Sequence, residues 1–177
     1  MLFIDDIVEA LMDEVISVRR YLHKIPEKGL NEHETTRYIY EYLKDLGINA
    51  EISPAGTGVI AYIEGRPGSK TIAFRADIDA LSIEEQTGAE YCSKNKGFMH
   101  ACGHDGHTAV LLGFAKLLAG LGNVLDNNVL LVFQPAEEGP GGAEIIVNNG
   151  VLEKYNVSCI FGLHIFPDIE EGKIGCR

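Results

Sequence analysis

The chain has 177 residues, 46% of them hydrophobic and 23% charged, which is the make-up of a globular protein with enough apolar material for a core. A formal net charge of −11 argues against a polyanionic partner such as nucleic acid. No apolar run approaches the ~20 residues that cross a bilayer, so the length reads as one domain with no membrane span.

The start, Met1-Leu2-Phe3-Ile4-Asp5-Asp6, lacks the basic residues and apolar stretch of a secretory signal. Ile7, Val8, Leu11, Val15, Val18, Tyr21 and Leu22 recur at helical spacing and predict a helix over about Asp5–Lys24, stopped by Pro26. A second helix is expected over about Glu32–Leu46, closed by Gly47. Short β-like runs follow at Ala50–Ser53 and Val59–Ile63. Thr71–Phe74 reads as a buried strand that runs into Arg75-Ala76-Asp77-Ile78-Asp79-Ala80-Leu81. After a Cys- and His-rich segment, Thr108–Leu118 is strongly helical, with Asp105 or a neighbour as N-cap. Val129–Phe133 is another apolar strand, ending in Gln134-Pro135-Ala136-Glu137-Glu138, and Gly139–Gly142 leads into a short helix over Ala143–Asn148. Cys159–His164 reads as a strand, and Lys173–Cys176 as the opening of one more. Helices alternating with continuous apolar strands predict an α/β fold, a mixed and mostly parallel sheet covered by helices on both faces.

Chemistry concentrates between His100 and His107, where one thiol, three imidazoles and a carboxylate share eight residues. Thiolate and imidazole together suit zinc and its late first-row neighbours. A buried free cysteine beside a polar turn would account for Cys102 alone, but not for the cluster. Cys102 and His104 stand two apart, which puts both on one side of an extended segment. Lying just ahead of a helix N-terminus, Cys102 is expected to favour its thiolate. Glu137 and Glu138 point in opposite directions if extended, so one can bind metal while the other moves protons. A solvated acidic turn is the plain alternative. Asp77 and Asp79 follow one strand and His164 ends another; each alone could be a turn cap or a packed residue. In α/β sheets ligands bind beyond the carboxyl ends of strands, which would gather these residues beside Cys102 and His104. His107 is expected in the first helical turn, supporting the site rather than ligating. His23 and His33 read as surface or packing residues. Cys92, Cys159 and Cys176 show no disulfide spacing, so the cysteines read as reduced and the protein as cytoplasmic.

Four segments, RADIDAL (Arg75–Leu81), MHACGHDGHTA (Met99–Ala109), FQPAEEGPGGA (Phe133–Ala143) and GLHIFP (Gly162–Pro167), resemble the metal-dependent amidohydrolases. That group includes N-acyl-amino-acid amidohydrolases, hippurate hydrolase, indole-acetyl-amino-acid hydrolases and N-acetyl-diaminopimelate deacetylase. LHKIPEKGLNEHET (Leu22–Thr35) also resembles the group's N-terminal pattern. The resemblance implies a zinc-exopeptidase-like catalytic domain and a site for two divalent metal ions, zinc, manganese, cobalt or nickel. It implies Cys102, His104, Glu138 and His164 as ligands, with the Cys102 thiolate bridging. Glu137 would be the general base, and Asp77 would support the centre from behind. Members of the group are about twice this long and continue into a dimerisation (lid) domain and the rest of the catalytic domain. Residues 1–177 therefore read as the N-terminal part of an incomplete catalytic domain.

The function expected on this basis is hydrolysis of the amide bond of N-acyl amino acids, with a small-molecule substrate, no nucleic-acid or membrane partner, and a homo-oligomer as an open option. The alternatives are a related dipeptidase, aminopeptidase or carboxypeptidase; a metal-binding piece that is inert without a complementary half; and a covalent Cys102 nucleophile with a histidine base. The last leaves Glu137, Glu138 and His164 without a task.

Overall fold

A computed structural model describes residues 4–121 and 125–176; residues 1–3, part of the stretch read for a signal, lie outside it. Helix α1 (Ile4–His23) ends just before Pro26, and α2 (His33–Asp45) closes at Gly47, which takes the left-handed conformation (φ 74°) that glycine adopts without penalty. Strands β1 (Asn49–Ile52), β2 (Val59–Ile63) and β3 (Thr71–Asp77) follow. Then come α3 (His104–Leu121), β4 (Asn128–Gln134), α4 (Gly142–Asn148), α5 (Val151–Lys154) and β5 (Val157–Gly162).

The strand order is β1-β2-β4-β3-β5. β1 and β2 form an antiparallel pair, and β2 runs antiparallel to β4. β4, β3 and β5 run parallel, so their C-terminal ends emerge on one edge. Alternate side chains serve two cores. Val59, Ala61, Val129, Leu131 and Phe133 pack with Leu22, Ile39, Leu43 and Leu112 of α1–α3. Ile60, Ala73, Leu130 and Val132 pack with Ile146 of α4 and Val151 of α5 on the opposite face. Helices thus cover both faces of a mixed sheet. Among the described residues no helix is long and apolar enough to cross a membrane.

Two local expectations are corrected and one is narrowed. α3 begins at His104, four residues before the predicted start, so Asp105 lies inside its first turn and caps nothing. Asp105 is instead bound to His23 and Arg19 of α1, and of the two readings of His23, surface or packing, its 3% exposure selects packing. Lys173–Cys176 forms no strand: Ile174 is 92% exposed and no neighbouring strand offers it a ladder.

Candidate metal centre

The parallel strands deliver Asp77 at the end of β3, Glu137 and Glu138 just beyond β4, and His164 just beyond β5 to one edge. Cys102 and His104 reach the same place from the loop that opens α3. His104 is the hub. It is buried, and its Nδ1–H donates to the Asp79 carbonyl at 2.9 Å and to its carboxylate at 3.2 Å. That leaves Nε2 as a buried lone pair with no hydrogen-bond partner. Around this atom lie Asp77 Oδ2 at 3.6 Å, Glu138 Oε1 at 3.9 Å and Glu137 Oε2 at 4.0 Å. Cys102, His104 and His164 each offer a donor atom within 4.8 Å of one another, and so do His104, Glu137 and Glu138. An imidazole oriented through one nitrogen by a carboxylate and a carbonyl, with the other aimed at sulfur and oxygen donors, is the pattern of a metal-ligating histidine. The donor set fits divalent ions of the zinc type.

His164 is prepared in the same way, with Nδ1–H donating to the Ile165 carbonyl at 2.8 Å and Nε2 3.5 Å from the Cys102 sulfur. His107 has no nitrogen to spare. Its Nδ1–H donates to Asp77 Oδ1 at 2.6 Å, and its Nε2 accepts from the Ile165 N–H at 3.0 Å. It therefore ties the end of β3 to the turn that carries His164. The other Asp77 oxygen accepts from Arg75 Nη1 at 2.8 Å.

The electrostatics follow from this crowding of acids. Burial works against the Asp77 carboxylate, but His107, His104 and Arg75 outweigh it and hold its pKa below the ordinary value. Burial likewise works against a charged His104, yet the Asp79 bond and the Asp77 charge raise its pKa. The surrounding acids therefore favour a positive charge beside His104 Nε2. Cys102 departs from expectation: burial, aided by the neighbouring Glu138, pushes its thiol up to about 11. Without a nearby cation the sulfur therefore keeps its proton at neutral pH.

Asp79 and His100, both prominent in the sequence but without an assigned role there, complete the surroundings. Asp79 is the second carboxylate of the RADIDAL segment; besides holding His104, it accepts the Glu138 N–H at 3.0 Å. His100, 4% exposed, has no hydrogen-bond partner on either ring nitrogen and is held neutral by burial, its pKa lowered to about 4. It lines a cavity of about 520 Å³ that opens beside Cys102 and His164 and is walled by Arg19, Tyr91, Met99 and Phe166.

The chain is similar to several known proteins. The chain is 46% identical over 170 residues to an N-acetyl-L-cysteine deacetylase of Bacillus subtilis, spanning 96% of this chain and 40% of that protein. It is 44% identical over 167 residues to an N-acetyldiaminopimelate deacetylase of Exiguobacterium sibiricum, spanning 94% of this chain and 45% of that protein. A Bacillus subtilis crystal structure described as a dinuclear metal-binding peptidase superposes with a TM-score of 0.89 at 45% identity, over 96% of this chain and 47% of that one. The chain thus spans somewhat under half the length of these relatives. Residues 73–177, which carry every candidate ligand, match the family profile, and the chain belongs to peptidase family M20/M25/M40.

Proposed function

We propose that this chain carries the metal-binding and proton-transfer machinery of an enzyme that hydrolyses the amide bond of N-acyl amino acids. One observation carries the reading: the buried, unpartnered Nε2 of His104 faces a sulfur donor from its own loop and carboxylate and imidazole donors from beyond β4 and β5. The names of the two deacetylase relatives favour an N-acyl amino acid over a peptide as substrate. Cys102, His104, Glu138 and His164 would hold two divalent ions, of zinc, manganese, cobalt or nickel. When bound, such ions supply Lewis acidity to the amide carbonyl and to water. Asp77 and Asp79 do not touch the substrate; they orient His107 and His104. Glu137, whose side chain is 39% exposed and so open to substrate, takes a proton from the attacking water and passes it to the departing amine. The cavity beside Cys102 falls within the roughly 300–1,000 Å³ of small-molecule sites and offers room for one side of the substrate. Residues 1–177 form, on this reading, the N-terminal part of the catalytic domain.

The test is release of the free amino acid from N-acetyl amino acids with manganese, cobalt or zinc present, alongside metal content by atomic emission. Glu137→Ala should abolish turnover and leave bound metal nearly unchanged. If metal content fell with activity, Glu137 would be a ligand and not the base. A second reading, a metal-binding piece without turnover of its own, is favoured by the exposure of Glu137 and His164. It predicts metal binding with no amino acid released by the unsubstituted chain.

A further inference from the structure

The segment Leu22–Thr35 has a sequence pattern of its own but contributes no ligand and no proton-transfer group. Its role lies in the turn between α1 and α2. The Glu27 carbonyl accepts the Ala80 N–H at 2.8 Å, just past the end of β3. Glu32, with no measurable exposure, reaches the equivalent place beyond β4: its Oε1 accepts the Ala136 N–H at 2.8 Å, and its Oε2 accepts the Thr57 hydroxyl at 2.8 Å. Ala136 directly precedes Glu137 and Glu138 and sits in the left-handed region (φ 52°), where a residue with a side chain persists only if its surroundings hold it. Gly29 of the same turn presses on Ala136 so closely that a Cβ there would lie 2.9 Å from its Cα. From the other side, Asp79 accepts the Glu138 N–H at 3.0 Å.

We infer that Glu32 is a positioning residue for the Glu137–Glu138 pair, its buried carboxylate pinning the left-handed Ala136 so that both glutamates keep their places beside His104 Nε2. A fully buried acid is costly to keep for packing alone. Here two donors converge on it, one of them the backbone of the proposed catalytic turn. The inference rests on the metal reading above, and the two fail in different ways.

The experiment is titration of the metal-free chain with Co²⁺, following the sulfur-to-cobalt charge-transfer band and the d–d bands, with far-UV circular dichroism as the control for folding. Glu32→Ala should weaken Co²⁺ binding by about 10- to 100-fold, the usual cost of losing an outer partner of a ligand, and should change the d–d envelope. Glu32→Gln keeps an oxygen for Ala136 and should restore the spectrum and bring the affinity to within a few-fold of the unsubstituted chain. Thr57→Val removes the other donor to Glu32 and should lower the melting temperature without altering the bands, as a purely structural contact would. If Glu32→Ala does not fold, Gly29→Ala, which forces Ala136 to move, must shift the bands in its place. Wild-type affinity and bands in a folded Glu32→Ala, or unchanged bands in Gly29→Ala, would overturn the inference while leaving the metal reading intact. Failure of the unsubstituted chain to bind Co²⁺ would overturn both.

Discussion

Gly142 offers the sharpest stability test of the turn that carries the glutamates. A Cβ built on Gly142 would lie 1.9 Å from the Pro135 carbonyl oxygen and 2.8 Å from its carbonyl carbon, where real Cβ atoms keep at least 3.0 Å. Opening the oxygen contact to that limit needs 3.0 − 1.9 = 1.1 Å of movement, and the obstacle is backbone with no rotamer to yield. Either the end of β4 or the start of α4 must shift, at a cost of about 1–3 kcal/mol for overpacking. Pro135 is two residues from Glu137, so the displacement falls on the proposed base; an error of ~1 Å there costs on the order of 10²-fold in rate. Urea unfolding of Gly142→Ala, followed by circular dichroism at an unchanged m-value, measures the first effect, and amino acid release or Co²⁺ affinity the second. Gly139→Ala is the matched control. Nothing lies within 4 Å of its Cβ position, so it should be neutral or slightly stabilising. If Gly142→Ala unfolds within about 0.5 kcal/mol of the unsubstituted protein, the close approach is not real and the argument fails.

Two further outcomes follow from the ionisable groups. The Asp105 hydrogen bond, working against burial, raises the His23 pKa above its ordinary 6.5, so its stabilising contribution is complete below that value and disappears as pH rises through the raised one. Burial opposes the Asp105 carboxylate, but His23, His100 and Arg19 hold its pKa below 3.8, so its contribution fades only at more acid pH. His23→Gln should therefore destabilise more at pH 6 than at pH 9 in chemical denaturation; an equal penalty at both would refute the pairing. Cys102, with its thiol pushed up to about 11, should be alkylated by iodoacetamide at pH 7.5 after the exposed Cys159 and Cys176 in chelator-treated protein. Peptide mass spectrometry reads the order, and Cys102 reacting first would show a thiolate that the structure does not support.

Periodicity located α1, α2 and the apolar strands within a few residues, because each buries a regular stripe or a continuous run. It failed where a distant partner decides. The Cys102–His104 spacing suggests an extended segment running into the helix, but Gly103 turns at φ 87° and its carbonyl receives the Gly106 and His107 N–H groups, so the helix starts early. The four residues of α5 were too few for a periodic signal. Cys102, His104, Glu138 and His164 were legible as metal-binding residue types, and so were the strand ends that carry Glu138 and His164. The charge state of Cys102 was not, since it depends on burial and then on Glu138, both of which arise only in the folded protein. Glu32 was invisible for the same reason: its decisive bond, to Ala136, spans 104 residues of sequence.

The parallel run of β4, β3 and β5 has a kinetic corollary. Strands joined by long crossovers pair only once the entropy of closing their loops has been met, so the donor atoms are expected to converge late in folding. Until then Cys102 is one thiol among four on an open chain, exposed to oxidants and stray ions. Refolding under reducing conditions, with cations withheld until the sheet has closed, is the order of events this topology demands.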